Sequence, residues 1–173
     1  ELPDQKKERF INEYSLTSYE ANVLVSEKEI SDYYEEVIKT SDKKLAKNWI
    51  MGDLFASLNE KNISITESLI TAKKMGLLID SISSGVISGR TAKEVFEIMK
   101  ETGEEPKKII ESKGLQQKSD PKELEGIIDK ILSENKDKAE QYKSGKDKLF
   151  GFFVGEVMKK SGGKANPKLV NEI

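Results

Sequence analysis

Leu115-Gln-Gln-Lys-Ser-Asp-Pro-Lys-Glu-Leu-Glu-Gly-Ile-Ile-Asp-Lys-Ile-Leu132 is the stretch that decides how this chain is put together. From Leu115 to Ser119 it is mostly polar and has no periodicity, so it reads as a linker. The next residues form a helix start. Asp120 can cap, Pro121 suits the first helical position, and Glu123 can close a capping box. Leu124, Ile127, Ile128, Ile131 and Leu132 then recur at helical spacing and share one face. A helical unit over 1–115 and a smaller one over 116–173 are therefore expected. The fold class that follows is all-α: two small helical bundles joined by a short polar linker.

The segment before the linker agrees. Pro3 can open a helix that runs to about Tyr14. Thr17 or Ser18 can cap the next, and the stretch to Ile38 reads as two short helices broken near Ser26–Ser31. Asp42 caps a longer helix striped by Ile50, Met51, Leu54, Phe55 and Leu58, with Leu45 and Trp49 widening the stripe. Thr66-Glu67 is expected to open another, with Met75, Leu78, Ile79, Ile82 and Val86 on its face. Ala92, Val95, Phe96 and Met99 stripe a helix that Gly103 stops, and Pro106 and Gly114 bracket a short one. Gly-Asn and Asp-Gly hairpin turns are absent, and β-branched residues rarely alternate.

Composition narrows the function. The 173 residues are 36% hydrophobic and 35% charged, with a net charge of -2. There is no cysteine and no histidine. This removes disulfides, Cys-based zinc sites and the commonest general base. No apolar run approaches the roughly 20 residues of a membrane span, so a cytoplasmic setting without membrane contact is expected. The chain starts Glu1-Leu-Pro rather than with Met, which reads as a piece of a longer protein. Glu35-Glu36 and Glu104-Glu105 are adjacent, so the members of each pair do not share a helix face; solvated charge is their expected role, and no catalytic residue is assigned.

Positive charge is concentrated near the end. Between Lys143 and Lys168 lie seven lysines, at 143, 146, 148, 159, 160, 164 and 168, against Asp147 and Glu156 alone. Such a local excess in a slightly acidic chain suggests a polyanionic partner. Projected as a helix, Lys146 to Lys160 places Leu149, Phe150, Phe153, Val154, Val157 and Met158 in one broad core sector. Lys148, Gly155 and Lys159 lie opposite, with Gly151 and Phe152 beside them. Two mid-helix glycines cost about 1 kcal/mol each against alanine. Close approach of another helix would offset that, and so would close approach of a nucleic-acid backbone or an unstacked base. Phe152 reads as packed or as a stacking platform, Trp49 as core, and Tyr33 and Tyr34 as undecided. The loop Ser161-Gly162-Gly163-Lys164 is flexible and basic, able to offer N–H groups to phosphate, and leads into a turn at Asn166-Pro167.

These residues carry a resemblance. Tyr142-Lys-x-Gly-Lys146, Gly151-Phe-x-Val-Gly155, Val157-Met-Lys159 and Gly163-Lys-Ala-Asn-Pro167 resemble the tail of the B subunit of aspartyl/glutamyl-tRNA amidotransferase, a domain of the GatB/Yqey type. Leu2-Pro3 with Arg9-Phe10, Tyr19-Glu-Ala21, Tyr34-Glu35, Asn48-Trp49, Ile87-Ser88 with Ala92-Lys93, and Gly114-Leu115 extend it over almost the whole chain. Glu156 departs from the uncharged Gln often found there, which weakens the local positive field.

The resemblance implies one component of a three-subunit, glutamine-hydrolysing ligase of protein biosynthesis. That enzyme converts glutamate or aspartate misloaded on tRNA into glutamine or asparagine. Its ATP and magnesium chemistry belongs to a catalytic part that this chain does not include, so no cofactor or metal is expected here. The implied partners are tRNA, contacted at its elbow near the D-loop, and the other subunits through the parent chain. The implied tRNA contacts are Lys143, Lys146, Lys148, Gly151, Phe152, Gly155, Lys159, Lys160, Gly162, Gly163, Lys164 and Asn166. The alternative is a free-standing module of the same type that binds another RNA or a protein.

Overall fold

A computed structural model describes residues 1–116, 121–145 and 148–173, without the side chains of Pro121 and Lys148. The described chain is built of helices and has no strand among the described residues. It divides into two compact units, one of residues 1–84 and 89–113, the other of residues 85–88 and 114–173. The expected cap at Asp120 and the linker beyond Gln116 lie outside the described residues.

The first unit starts with α1 (Pro3–Tyr14), where Pro3 fills the first turn. Thr17 caps α2 (Ser18–Leu24) and exchanges bonds with Glu20 in a capping box. After a break at residues 25–27 comes α3 (Lys28–Ile38). Asp42 caps α4 (Lys43–Trp49) by accepting from the Leu45 N–H at 2.7 Å. The helix continues through a π-turn at Ile50–Leu54 into α5 (Phe55–Lys61).

The expected helix start at Thr66-Glu67 is corrected. Ser64 and Glu67 do form a capping box, but it closes only a 3-10 turn at Ile65–Glu67. The chain then extends through Ser68, and Thr71 caps α6 (Ala72–Ser83). Val86, expected on that helix's face, lies beyond it and is exposed. Next come α7 (Gly89–Thr102) and α8 (Pro106–Lys113). Gly103 stops α7 with φ +68°, a left-handed conformation that glycine adopts without a Cβ clash.

The core of this unit holds Phe10, Tyr34, Leu54, Met75, Leu78 and Phe96, all essentially inaccessible to solvent. Trp49 is buried with its ring 5.7 Å from that of Phe96, as a core residue. Tyr33 is buried too, and its hydroxyl donates to the Ile70 carbonyl at 2.8 Å, so it is no stacking platform.

Glu35 is not the solvated charge expected. Its carboxylate accepts from Arg9 at 2.5 Å and from the Tyr14 hydroxyl at 3.0 Å, tying α1 to α3. Arg9 also holds Glu1 at 2.8 Å. The two carboxylates push the guanidinium pKa further up, and burial beside Glu35 raises that of Tyr14.

The second unit contains α9 (Pro121–Glu134), α10 (Lys136–Lys143), α11 (Lys148–Lys160) and α12 (Pro167–Glu172). Leu124 and Ile131 of α9 meet Val157 of α11, Ala165 and Val170 in a small core. Ile127, Ile128, Phe153, Val154, Met158 and Leu169 close around it, half-buried. Two residues placed on the core by periodicity are not in it. Leu132 is 37% exposed and Phe150 is 43% exposed, and with Tyr142 they line an open apolar groove of about 660 Å³. A unit this small has too little interior for every apolar residue of each stripe.

Candidate nucleic-acid interface

The side of α11 turned away from the core carries Gly151, Gly155 and Lys159, four residues apart and so stacked along one face. The three span about 12 Å of helix at 1.5 Å per residue. Both glycines are exposed, and a Cβ built on either meets no atom within 4 Å among the described residues. No helix among the described residues packs against either glycine. Lys159 is exposed and makes no ion pair among the described residues. The side chain of Lys148, expected on the same face, and the whole of Lys146 lie outside the described residues.

Phe152 sits beside this face, half-buried. Its ring meets Phe153 edge-on, with centroids 5.5 Å apart at 71°. The ammonium of Lys138, on α10, lies 3.8 Å from the Phe152 ring centroid. Sequence reasoning missed Lys138. It lies outside the terminal lysine cluster, and only the packing of α10 against α11 brings it there. Lys143 ends α10 and is exposed. Glu156, one turn beyond Phe152, is the lone acid of α11 and tempers the positive charge.

Three expected site residues serve the local fold. Gly162 and Gly163, with φ of +65° and +77°, stop α11. The Gly162 N–H donates to the Lys159 carbonyl at 3.1 Å and the Gly163 N–H to the Met158 carbonyl at 2.7 Å. The Lys164 N–H reaches the Ser161 carbonyl at 3.3 Å, and the Ala165 N–H reaches the Ser161 hydroxyl at 3.0 Å. The expectation that this loop offers N–H groups to phosphate is corrected, because the helix stop already uses those donors. Asn166 caps α12, its side chain accepting from the Lys168 N–H at 3.1 Å. The loop does turn Lys164 back toward Gly114, where its ammonium lies 3.9 Å from the position a Cβ would take.

Lys160 pairs with Glu134 of α9, and its ammonium holds that carboxyl below its usual pKa. The positive groups without a carboxylate partner among the described residues thus include Lys138, Lys143 and Lys159. Of these, Lys159 shares the α11 face that carries the bare backbone of Gly151 and Gly155, whereas Lys143 borders the apolar groove beside Phe150. Among the described residues no three acidic side chains converge as a metal site, and no helix is long and apolar enough to cross a membrane.

An all-α chain whose tail combines a lysine–glycine helix with a glycine-stopped basic loop falls in a recognisable class. The family model described as the GatB domain matches residues 32–173. The B subunit of the aspartyl/glutamyl-tRNA(Asn/Gln) amidotransferase of Pelagibacter ubique is 56% identical over 177 residues, covering 100% of this chain and 36% of that protein. Its counterpart in Granulibacter bethesdensis is 52% identical over 172 residues, covering 99% of this chain and 36% of its own length. That of Rickettsia africae is 49% identical over 173 residues, covering 100% and 36%. The chain belongs to this family, that of the amidotransferase B subunit with its GatB domain. It spans about a third of the length of these curated relatives.

Proposed function

We propose that this chain is the tRNA-holding part of the B subunit of an aspartyl/glutamyl-tRNA amidotransferase. In the parent enzyme it helps position misacylated Glu-tRNA(Gln) or Asp-tRNA(Asn) for ATP-dependent transamidation. ATP and magnesium act in the catalytic part of the parent, and the other subunits assemble with this chain through the parent chain, in the cytoplasm. The chain itself supplies binding and orientation. Holding a reactant in place converts a bimolecular step into an effectively unimolecular one, which is a contribution to rate without any catalytic group.

The observation that carries this reading is the open glycine pair of α11. Among the described residues Gly151 and Gly155 pack against nothing and Lys159 beside them has no ion pair, although both glycines cost helix stability. A backbone or sugar approaching that face explains both features together. Lys143, Lys146, Lys148 and Lys164 are proposed as further phosphate contacts, Phe152 borders the glycine face, and Gly162 and Gly163 make the bend that carries Lys164. Lys160 and Asn166 lie at the edge, one balanced by Glu134 and the other capping α12.

The test is a nuclease footprint of tRNA bound to the amidotransferase that contains this chain. Protection at the elbow around the D-loop, lost when residues 121–173 are deleted, is the expected result. Protection confined to the acceptor end, unchanged by the deletion, would overturn it.

A further inference from the structure

We infer that Lys138 is an RNA-phosphate contact held in place by the ring of Phe152. This inference rests on the tRNA-binding reading above. The ammonium lies 3.8 Å from the ring centroid, while the side chain is exposed and makes no ion pair among the described residues. An ammonium paired with a carboxylate has its charge largely cancelled toward outside anions, as with Lys160 and Glu134. An ammonium held by a ring keeps its full charge, because a ring quadrupole orients a cation without neutralising it.

The placement also fits. Phe152 immediately follows Gly151 and lies one turn before Gly155 on α11. Lys138 reaches it from α10, so the charge is held over the ring of the residue that adjoins Gly151 in the chain. The acids near Lys138 in sequence are Glu134, Asp137 and Glu140, and Glu156 lies on α11; none makes an ion pair with Lys138 among the described residues, and Glu134 pairs with Lys160 instead. Phe152 thereby acts as a positioning residue. The ammonium stands over the ring, and Phe153 meets it edge-on.

The test is a salt titration of tRNA(Gln) transcript binding to the assembled amidotransferase. The variants are Lys138→Gln, Phe152→Leu, Phe152→Tyr and the double Lys138→Gln/Phe152→Leu. Losing one phosphate contact lowers the slope of log K against log salt by about 0.7–0.9, which is about a five- to eightfold loss of affinity at 0.1 M salt. Phe152→Leu is expected to weaken binding about two- to fivefold, since it removes a cation–π contact. Phe152→Tyr keeps the ring and keeps wild-type affinity. The double variant should bind no worse than Lys138→Gln alone, because the two residues act as one unit.

Circular dichroism on each variant separates lost binding from lost fold, and Phe152→Tyr covers the case in which leucine unsettles the packing. An unchanged slope and affinity in Lys138→Gln would overturn the inference. Additive losses in the double variant would overturn the positioning role of Phe152. The parallel variant Lys148→Glu/Lys159→Glu/Lys164→Glu tells the two readings apart. If it weakens binding while Lys138→Gln does not, only this inference fails; if neither does, the tRNA-binding reading fails with it.

Discussion

At the scale of single residues, Gly151 and Gly155 separate two accounts of α11. If they existed to let another helix approach, a methyl group at either would clash. No atom lies within 4 Å of either Cβ position among the described residues, so Gly151→Ala and Gly155→Ala should each raise stability by about 0.5–1 kcal/mol. The same substitutions should weaken tRNA binding, because they put a side chain where backbone is bare. Urea unfolding with parallel tRNA titration checks both halves, and a loss of stability would point to packing instead. Elsewhere, Glu20 accepts from Lys47 at 2.7 Å and from the Thr17 N–H at 2.8 Å, and these bonds pull its pKa from 4.5 down to about 2. A depressed folded-state pKa contributes stability that is fully present above about 4.5 and is lost as pH falls through 2. Glu20→Gln should therefore flatten part of the acid limb of stability against pH and cost about 1 kcal/mol at pH 7. Thermal melts from pH 7 to pH 2 measure this, and an unchanged acid limb would contradict it.

At the scale of elements, helix starts depend on local chemistry and were legible for that reason. Pro3, Thr17 and Asp42 open their helices where capping rules put them. The exception is informative. Ser64 and Glu67 make a true capping box, yet only one 3-10 turn follows, and Thr71 begins α6. A capping signal fixes where a helix can start; packing decides whether it continues. Non-local side-chain partners were not legible, whether they tie the first unit together or border the candidate site. Arg9 finds Glu35 across 26 residues, and Lys138 meets Phe152 only because α10 packs on α11. The lysine–glycine face of α11 was legible, since one helical projection contains it, whereas the hydrogen bonding that occupies the loop N–H groups needed coordinates. The tail core gives a direct test of packing. Ile131 is 1% exposed, and Ile131→Ala should cost about 2–4 kcal/mol. In so small a unit, a loss of that size should unfold α9 to α12 well before residues 1–84. Hydrogen exchange would show it, and uniform protection in both units would contradict it.

At the scale of the whole molecule, the distribution of charge follows the fold. A chain with net charge -2 concentrates lysine on a small helical tail, while many charges elsewhere sit in ion pairs such as Lys6–Asp32 and Lys100–Glu97. Binding through phosphates makes affinity salt-dependent and largely independent of base sequence, which is what the proposed role of holding tRNA by its body requires. The most direct test is the affinity of the assembled amidotransferase for tRNA(Gln) with Lys148, Lys159 and Lys164 all changed to Glu. Loss of three phosphate contacts predicts roughly a hundredfold weaker binding at 0.1 M salt and a flatter salt dependence, with the fold intact. Unchanged affinity and an unchanged salt slope would contradict the claim that this face meets RNA.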